Sequence, residues 1–335
     1  MKIVINGRFL TQRITGVQRY AREICSELDK LIQPEEIIMA VPPETQDIPE
    51  YKNIKVVRLG HFHNRLWEQV SFPLYVIKNN AVALNLCNVA PLLAPGIVCI
   101  HDMKIKATPQ FFSKKFLLWY RLLFWNTTKR AKKIITVSNF SKSEIIKYYG
   151  VDGNKIVVVP NGWQHFARIN YYENTLAKYN LQKDNYYFAM SSLEPNKNFK
   201  WIAEQAVKNP SELFVVAGSI NAKVFADGLG FACPDNMKLI GYVSDEEAKT
   251  LMRDCKAFLF PSVYEGFGIP PLEAMSAGAK RIIVSDIPVM HEIFGDGVEY
   301  IGEKTRRLIY SQNIILKKYK WNIATYNLFK LIRID

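Results

Sequence analysis

Two glutamates eight positions apart, Glu265 and Glu273, bracket a stretch that reads Gly266-Phe267-Gly268-Ile269-Pro270-Pro271. A carboxylate accepts hydrogen bonds from sugar hydroxyls, and its two oxygens suit a pair of neighbouring hydroxyls. Gly266 and Gly268 carry no side chain, so backbone N–H groups there can approach a ligand closely. A helix that begins just after them would present partial positive charge to an anion. One short stretch thus offers a place for a phosphate between two places for polyols. That is the outline of a sugar nucleotide: sugar, diphosphate, ribose. Further polar candidates lie elsewhere in the chain. Gly16 sits in an early glycine loop, His101 precedes Asp102, and Lys197 lies in the run Pro195-Asn196-Lys197-Asn198.

The elements that must hold these groups are legible around them. Ala257 to Phe260 is an apolar run closed by Pro261, with the length of a buried parallel strand. Pro270 and Pro271 suit the first turn of a helix, where a missing N–H costs little. Leu272, Met275 and Ala279 follow at helical spacing, and Gly278 is placed to end the helix. Strand, glycine loop and short helix therefore form one unit. His101 and Asp102 stand at the end of a strand over Ile97 to Ile100, where a residue points into the ligand crevice of an open α/β sheet. Gly16 opens a helix to about Leu31, with Val17, Tyr20, Ile24 and Leu28 as its apolar stripe.

This alternation runs through the chain. Ile3–Ile5, Ile37–Val41, Ile54–Leu59, Ala81–Asn85, Ile134–Val137 and Ile156–Val159 read as strands of a first domain. Ser141 is a candidate N-cap with Glu144 at the capping-box position, and Ser244 pairs with Glu247 in the same way. The polar, unpatterned stretch from His165 to Asp184 marks a boundary. Beyond it, Tyr186–Met190, Leu213–Ala217, Met237–Leu239 and Ile282–Ser285 are strands, with Ile293–Asp296 and Val298–Ile301 closing the sheet. The fold class is α/β, with two Rossmann-like, doubly wound parallel-sheet domains. Residues 1–165 form the first, 166–305 the second, and 306–335 a tail of helical composition.

The Glu265–Glu273 segment resembles the Glu-x7-Glu signature of retaining GT-B glycosyltransferases, above all glycosyltransferase family 4 (glycosyl transferases group 1). The resemblance continues through Ala274-Met275-Ser276-Ala277-Gly278 to Ser285-Asp286-Ile287-Pro288 and Glu292. It implies the GT-B arrangement, with the active site in a cleft between the domains and a terminal helix, bearing Trp321, that packs back on the first domain. It implies that Glu265 orients the transferred sugar and that Glu273 holds the ribose. The loop Gly266, Phe267, Gly268 and Ile269 then binds the donor, together with Gly16 from an amino-terminal glycine loop. His101 contacts the donor sugar by backbone or ring, without acting as a general base. Lys197 neutralises the leaving diphosphate. Relatives usually carry an Arg near Ser192 as well, and this chain has none; Arg13 or Arg19 would have to substitute. No metal or other cofactor is expected, since no acidic Asp-x-Asp pair stands out.

The chain has 335 residues, about half of them apolar, enough for two cores of ordinary domain size. No run of eighteen uncharged apolar residues is present, so no transmembrane helix is expected, and the start is too soon broken for a signal peptide. Five scattered cysteines without a Cys-x-x-Cys pair read as reduced, buried thiols of a cytosolic protein. The formal charge is +13, and between Asp102 and Glu144 there is no acidic residue. Inside that interval lies the basic, aromatic-rich run from Phe111 to Trp125, which suggests an interfacial helix on an anionic membrane surface over 104–133. Nucleic acid is not an expected partner.

These readings converge on a retaining enzyme that moves a hexosyl group from a nucleotide-diphosphate sugar to a saccharide or lipid-linked acceptor. The expected setting is bacterial surface polysaccharide synthesis (O-antigen, capsule or exopolysaccharide), at the inner face of the cytoplasmic membrane. The alternatives are a sugar-nucleotide epimerase and a non-catalytic sugar-nucleotide-binding or membrane-scaffold relative.

Overall fold

The computed structural model describes residues 2–190, 194–218, 233–302 and 309–334. The chain divides into two compact units: Met1–Asn161 with Trp321–Asp335, and Gly162–Lys320.

The first unit is built on seven parallel strands: β1 (Ile3–Asn6), β2 (Ile37–Val41), β3 (Lys55–Arg58), β4 (Val82–Asn85), β5 (Ile97–Cys99), β6 (Lys133–Thr136) and β7 (Ile156–Val158). Their order is β3-β2-β1-β4-β5-β6-β7. Every residue of β1 and β2 is buried, as expected of strands covered by helices on both faces. Successive strands leave β1 in opposite directions, toward β2 on one side and β4 on the other. A crevice opens at such a reversal, beyond the carboxyl ends of the two strands. Those ends are Asn6 and Asn85.

The second unit repeats the plan with six parallel strands: β8 (Tyr187–Met190), β9 (Phe214–Ala217), β10 (Met237–Gly241), β11 (Ala257–Phe260), β12 (Ile282–Val284) and β13 (Glu299–Tyr300). The order is β10-β9-β8-β11-β12-β13, so the reversal falls between β8 and β11. One face of this sheet is covered by the helix Phe199–Lys208, whose Phe199, Ile202, Ala203 and Ala206 pack on Ala189, Val216 and Leu259. The helix Asp245–Asp254 opens with the Ser244–Glu247 capping box, its two bonds 3.2 and 3.0 Å long.

Several expectations are corrected. Ser138, not Ser141, caps the helix Asn139–Tyr149, accepting from the Ser141 N–H at 2.9 Å. The Ser141 hydroxyl instead donates to the His101 carbonyl at 3.0 Å. Ile293–Asp296 is not a strand. Pro288 starts a helix over Pro288–Phe294, and Val289, Met290, Ile293 and Phe294 are its buried face. Those positions satisfy helical spacing, which outweighs the short apolar run. The units part at Asn161/Gly162, so the residues just before 166 belong to the second unit. The tail is divided too: the helix Ile309–Lys318 stays with the second unit, and Trp321–Ile334 joins the first. There Trp321 is fully buried, 5.8 Å from the ring of Tyr20 on the helix Gly16–Asp29.

Candidate functional site

Lys197 and the glycine loop follow the two strands that flank the reversal in the second unit. Lys197 lies in a short 3-10 turn after β8, and Glu265 lies in the loop after β11. The structure brings these two groups together: Lys197 Nζ sits 2.5 Å from Glu265 Oε1. Both side chains are largely but not wholly buried, and the ammonium also stands 5.5 Å from the centre of the Phe260 ring. The Asn196 carbonyl takes the Val263 N–H at 2.8 Å, which pins the two loops side by side. Asn196 Oδ1 and Ser262 Oγ, from the same two loops, are buried and have no hydrogen-bond partner among the described residues. The position where relatives carry an Arg falls at Ser191–Leu193, outside the described residues.

Gly268 fixes the path of the loop. Its φ is +96°, a left-handed value that disfavours any side chain. A Cβ there would lie 2.8 Å from Met290 Cε. The helix Ile269–Ser276 starts at the next residue, and since Pro270 and Pro271 carry no N–H, Ile269 supplies the N–H at its first turn. Ile269 is half-exposed at that end. Gly266 and Phe267 are buried, and the Phe267 ring packs edge-on against Tyr319 at 5.3 Å. That ring is a packing group, which leaves only the Phe267 backbone for a ligand.

Glu273 lies on the buried side of the same helix, 7% exposed. Its Oε1 is 2.8 Å from Nε2 of His165, whose side chain is 2% exposed. His165 belongs to the turn Gln164–Ala167, at the start of the second unit. No sequence signal picked it out. It stands in a stretch without periodicity, 108 residues from its partner. Two pairs therefore flank the glycine loop, Lys197–Glu265 and His165–Glu273.

His101 and Gly16 are in the first unit. Gly16 is exposed at the N-terminus of its helix, behind a capping box of Thr15 and Gln18. His101 is buried beyond β5, with the Tyr20 ring edge-on at 4.8 Å. Its Nε2 donates to the Leu86 carbonyl at 2.9 Å, and its backbone N–H donates to Asn88 Oδ1 at 2.7 Å. Burial pushes the ring down to about pKa 4, so the imidazole is neutral near pH 7.

The first unit also contains a polar network at its own strand reversal. Asn6 Nδ2 donates to Asn85 Oδ1 at 2.9 Å and to Glu68 Oε1 at 3.1 Å, while Arg8 Nη1 lies 3.1 Å from Glu68 Oε2. A cavity of about 260 Å³ borders these residues. The sequence hint was faint: Asn6 and Asn85 each close an otherwise apolar strand.

Family models match both units: glycosyltransferase family 4 over residues 14–164, and glycosyl transferases group 1 over residues 172–314. The chain is a GT-B-fold glycosyltransferase resembling these two groups. It is similar to the O-antigen chain mannosyltransferase RfbU of Salmonella typhimurium, 33% identical over 216 residues. That match covers 63% of this chain and 58% of the relative, a little over half its length. The O-antigen chain mannosyltransferase B of Escherichia coli is 24% identical over 339 residues, covering 88% of this chain and 85% of that one. Among solved structures, the sucrose-phosphate synthase of Thermosynechococcus elongatus superposes with a TM-score of 0.74 at 14% identity, covering 99% of this chain and 98% of that one. At that identity the likeness concerns the fold. No helix among the described residues is long and apolar enough to cross a membrane.

Proposed function

We propose that this glycosyltransferase moves a hexosyl group, first of all mannosyl, from a nucleoside-diphosphate sugar with retention of configuration. The acceptor is a saccharide or lipid-linked saccharide of bacterial surface polysaccharide assembly. The observation that carries the donor reading is the juxtaposition of Lys197 and Glu265 beside the N-terminus of the helix Ile269–Ser276. The mannosyl assignment draws on the two O-antigen mannosyltransferases that the chain resembles.

In this reading the diphosphate sits over the Gly268 turn, held by the Ile269 N–H and by Lys197. Donor binding loosens the Lys197–Glu265 pair: the ammonium moves to phosphate, and the carboxylate is released to the hydroxyls of the transferred sugar. Glu273 takes the ribose. His165 occupies its Oε1, and among the described residues Oε2 has no partner, so one oxygen is oriented and the other is available. As the bond from the anomeric carbon to the diphosphate oxygen breaks, negative charge grows on that oxygen, where Lys197 stabilises it. The acceptor hydroxyl attacks the face the diphosphate leaves, and its proton passes to the departing phosphate. No protein nucleophile is required. The exposed residues Leu118, Leu122 and Trp125 on the basic helix Lys114–Arg130 support a resting place on an anionic membrane surface.

Thermal shift and saturation-transfer NMR across a panel of nucleoside-diphosphate sugars test the donor site. One donor is expected to bind the native protein, with loss of about tenfold or more in Glu273→Ala, roughly one hydrogen bond to a charged group. His165→Gln is expected to weaken the same donor less. Binding of no donor by the folded protein, or equal binding by Glu273→Ala, would overturn the assignment.

A further inference from the structure

The segment that carries His165 rests on a buried cation that the donor reading leaves unused. Lys249 lies in the middle of the helix Asp245–Asp254 and is 5% exposed. Its ammonium donates to the Ala167 carbonyl at 3.3 Å and to the Ile169 carbonyl at 2.6 Å. We infer that Lys249 is a positioning residue for the donor site: by gripping these two carbonyls it holds His165 where the imidazole orients Glu273. This deepens, and rests on, the reading of Glu273 as the ribose ligand.

Three observations carry the inference. First, the ammonium is out of place by the ordinary rules of burial. Among the described residues its polar partners are the two carbonyls, and no carboxylate pairs with it. Burial alone pulls its pKa below the usual lysine range. A methionine would fill similar space without the cost of desolvating a charge. What the ammonium adds is therefore the pair of bonds it makes.

Second, those bonds fall just past His165. Ala167 is the last residue of the turn Gln164–Ala167 that bears His165, and Ile169 stands two residues on. Carbonyls at the end of a helical turn lack partners within it, and a lysine side chain can satisfy them. A turn of four residues has few bonds of its own, so its place is set from outside.

Third, the strap from His165 to Tyr172 joins two helices. It meets the helix Ile269–Ser276 at two points one turn apart. His165 Nε2 lies 2.8 Å from Glu273 Oε1, and the Tyr171 hydroxyl donates to the Ala277 carbonyl at 3.3 Å. The helix Asp245–Asp254 holds the Tyr171 end without help from Lys249's hydrogen bonds. Arg253 Cζ stands 4.2 Å from the centre of the Tyr171 ring, and Thr250 Oγ1 accepts the Tyr172 N–H at 2.9 Å. Removing the ammonium therefore leaves that end anchored and puts the slack at the other, where the imidazole meets Glu273. A carboxylate whose Oε1 is no longer fixed presents Oε2 to a ribose in many orientations instead of one.

The test uses the full chain, with UDP and GDP as probes and their 2′,3′-dideoxy counterparts as controls without the ribose hydroxyls. Imidazole nitrogen NMR follows His165, whose signals are assigned among the five histidines by their loss in His165→Gln. In Lys249→Met those signals are expected to shift. The nucleotide that the native protein binds is expected to bind at least fivefold more weakly, while its dideoxy counterpart binds both proteins alike. Lys249→Met is expected to add nothing to the loss already present in Glu273→Ala. A lysine that only supports the fold would leave the ribose preference as it was. Unmoved His165 signals in folded Lys249→Met overturn the inference. So does an equal loss for both forms of the nucleotide, or a loss that adds to that of Glu273→Ala. Should Lys249→Met fail to fold, Lys249→Gln is read by the same criteria. If the native protein binds neither nucleotide, the donor reading falls, and the His165 signals alone judge the hold of Lys249 on the imidazole.

Discussion

At the end of β5, one imidazole is surrounded by the Tyr20 ring, the Leu86 carbonyl and the Asn88 side chain. Its pKa of about 4 has a stability consequence. In the unfolded chain a histidine titrates near ~6.5. As pH falls below that value the unfolded chain takes up a proton that the native ring refuses. Stability is therefore flat above ~6.5 and declines from there to about 4, by up to ~3 kcal/mol from this group. Urea midpoints at pH 7.5 and pH 5 should differ more in the native protein than in His101→Gln; the same difference in both would refute the account. A ring held neutral in this way also suits the view that His101 shapes its strand end rather than moving protons. Which residues were legible follows from the same physics. Glu265, Glu273 and Lys197 stand beside glycines, prolines and strand ends, and such neighbours announce a turn toward solvent. His165, Asn6 and Glu68 take their meaning from partners 62 to 108 residues away, which no local pattern records.

Whole elements were more readable than their edges. The strands of both sheets answer to runs of apolar, often β-branched residues, because parallel strands are buried on both faces. The Ser244 capping box was readable because both of its residues are local. Ser138 was not, since Ser138 and Ser141 both stand near the start of the same helix and only the backbone turn decides between them. Pro288–Phe294 was misread because a helix of seven residues shows barely two turns of periodicity. The glycine turn is the element whose geometry matters most to the proposed donor site. Gly268→Ala adds a methyl group at φ +96°, pressing on Met290. The expected cost is about 1–3 kcal/mol of stability, with weakened nucleotide binding because the helix N-terminus must shift. A variant that melts and binds like the native protein would show that the turn has slack.

On the scale of the whole chain, charge and order of connection matter most. The acid-free interval from Lys104 to Ser143 places much of the +13 excess around one helix of the first unit. With Leu118, Leu122 and Trp125 exposed there, the protein is expected to float with vesicles containing anionic lipid and to be released by salt. Arg121→Glu, a change of two charges, should lower that partitioning by about thirtyfold, given ~1 kcal/mol for each charge near the surface. Retention of the variant on the vesicles, or binding to neutral lipid alone, would remove the membrane from the account. Connection carries a consequence of a different kind. The helix Trp321–Ile334 completes a unit that begins at the opposite end of the chain, by packing against the helix that bears Tyr20. A ribosome therefore delivers all of Gly162–Lys320 before the first unit has its last piece. At ordinary rates of synthesis that is a wait on the order of ten seconds. At the end of it, the nascent chain carries a finished second unit and an unfinished first one whose Tyr20 and Ile24 face has yet to meet its cover. A stop codon immediately before Trp321 would make that state permanent, leaving the second unit whole while an aromatic seam of the first lies open to chaperones and to other chains.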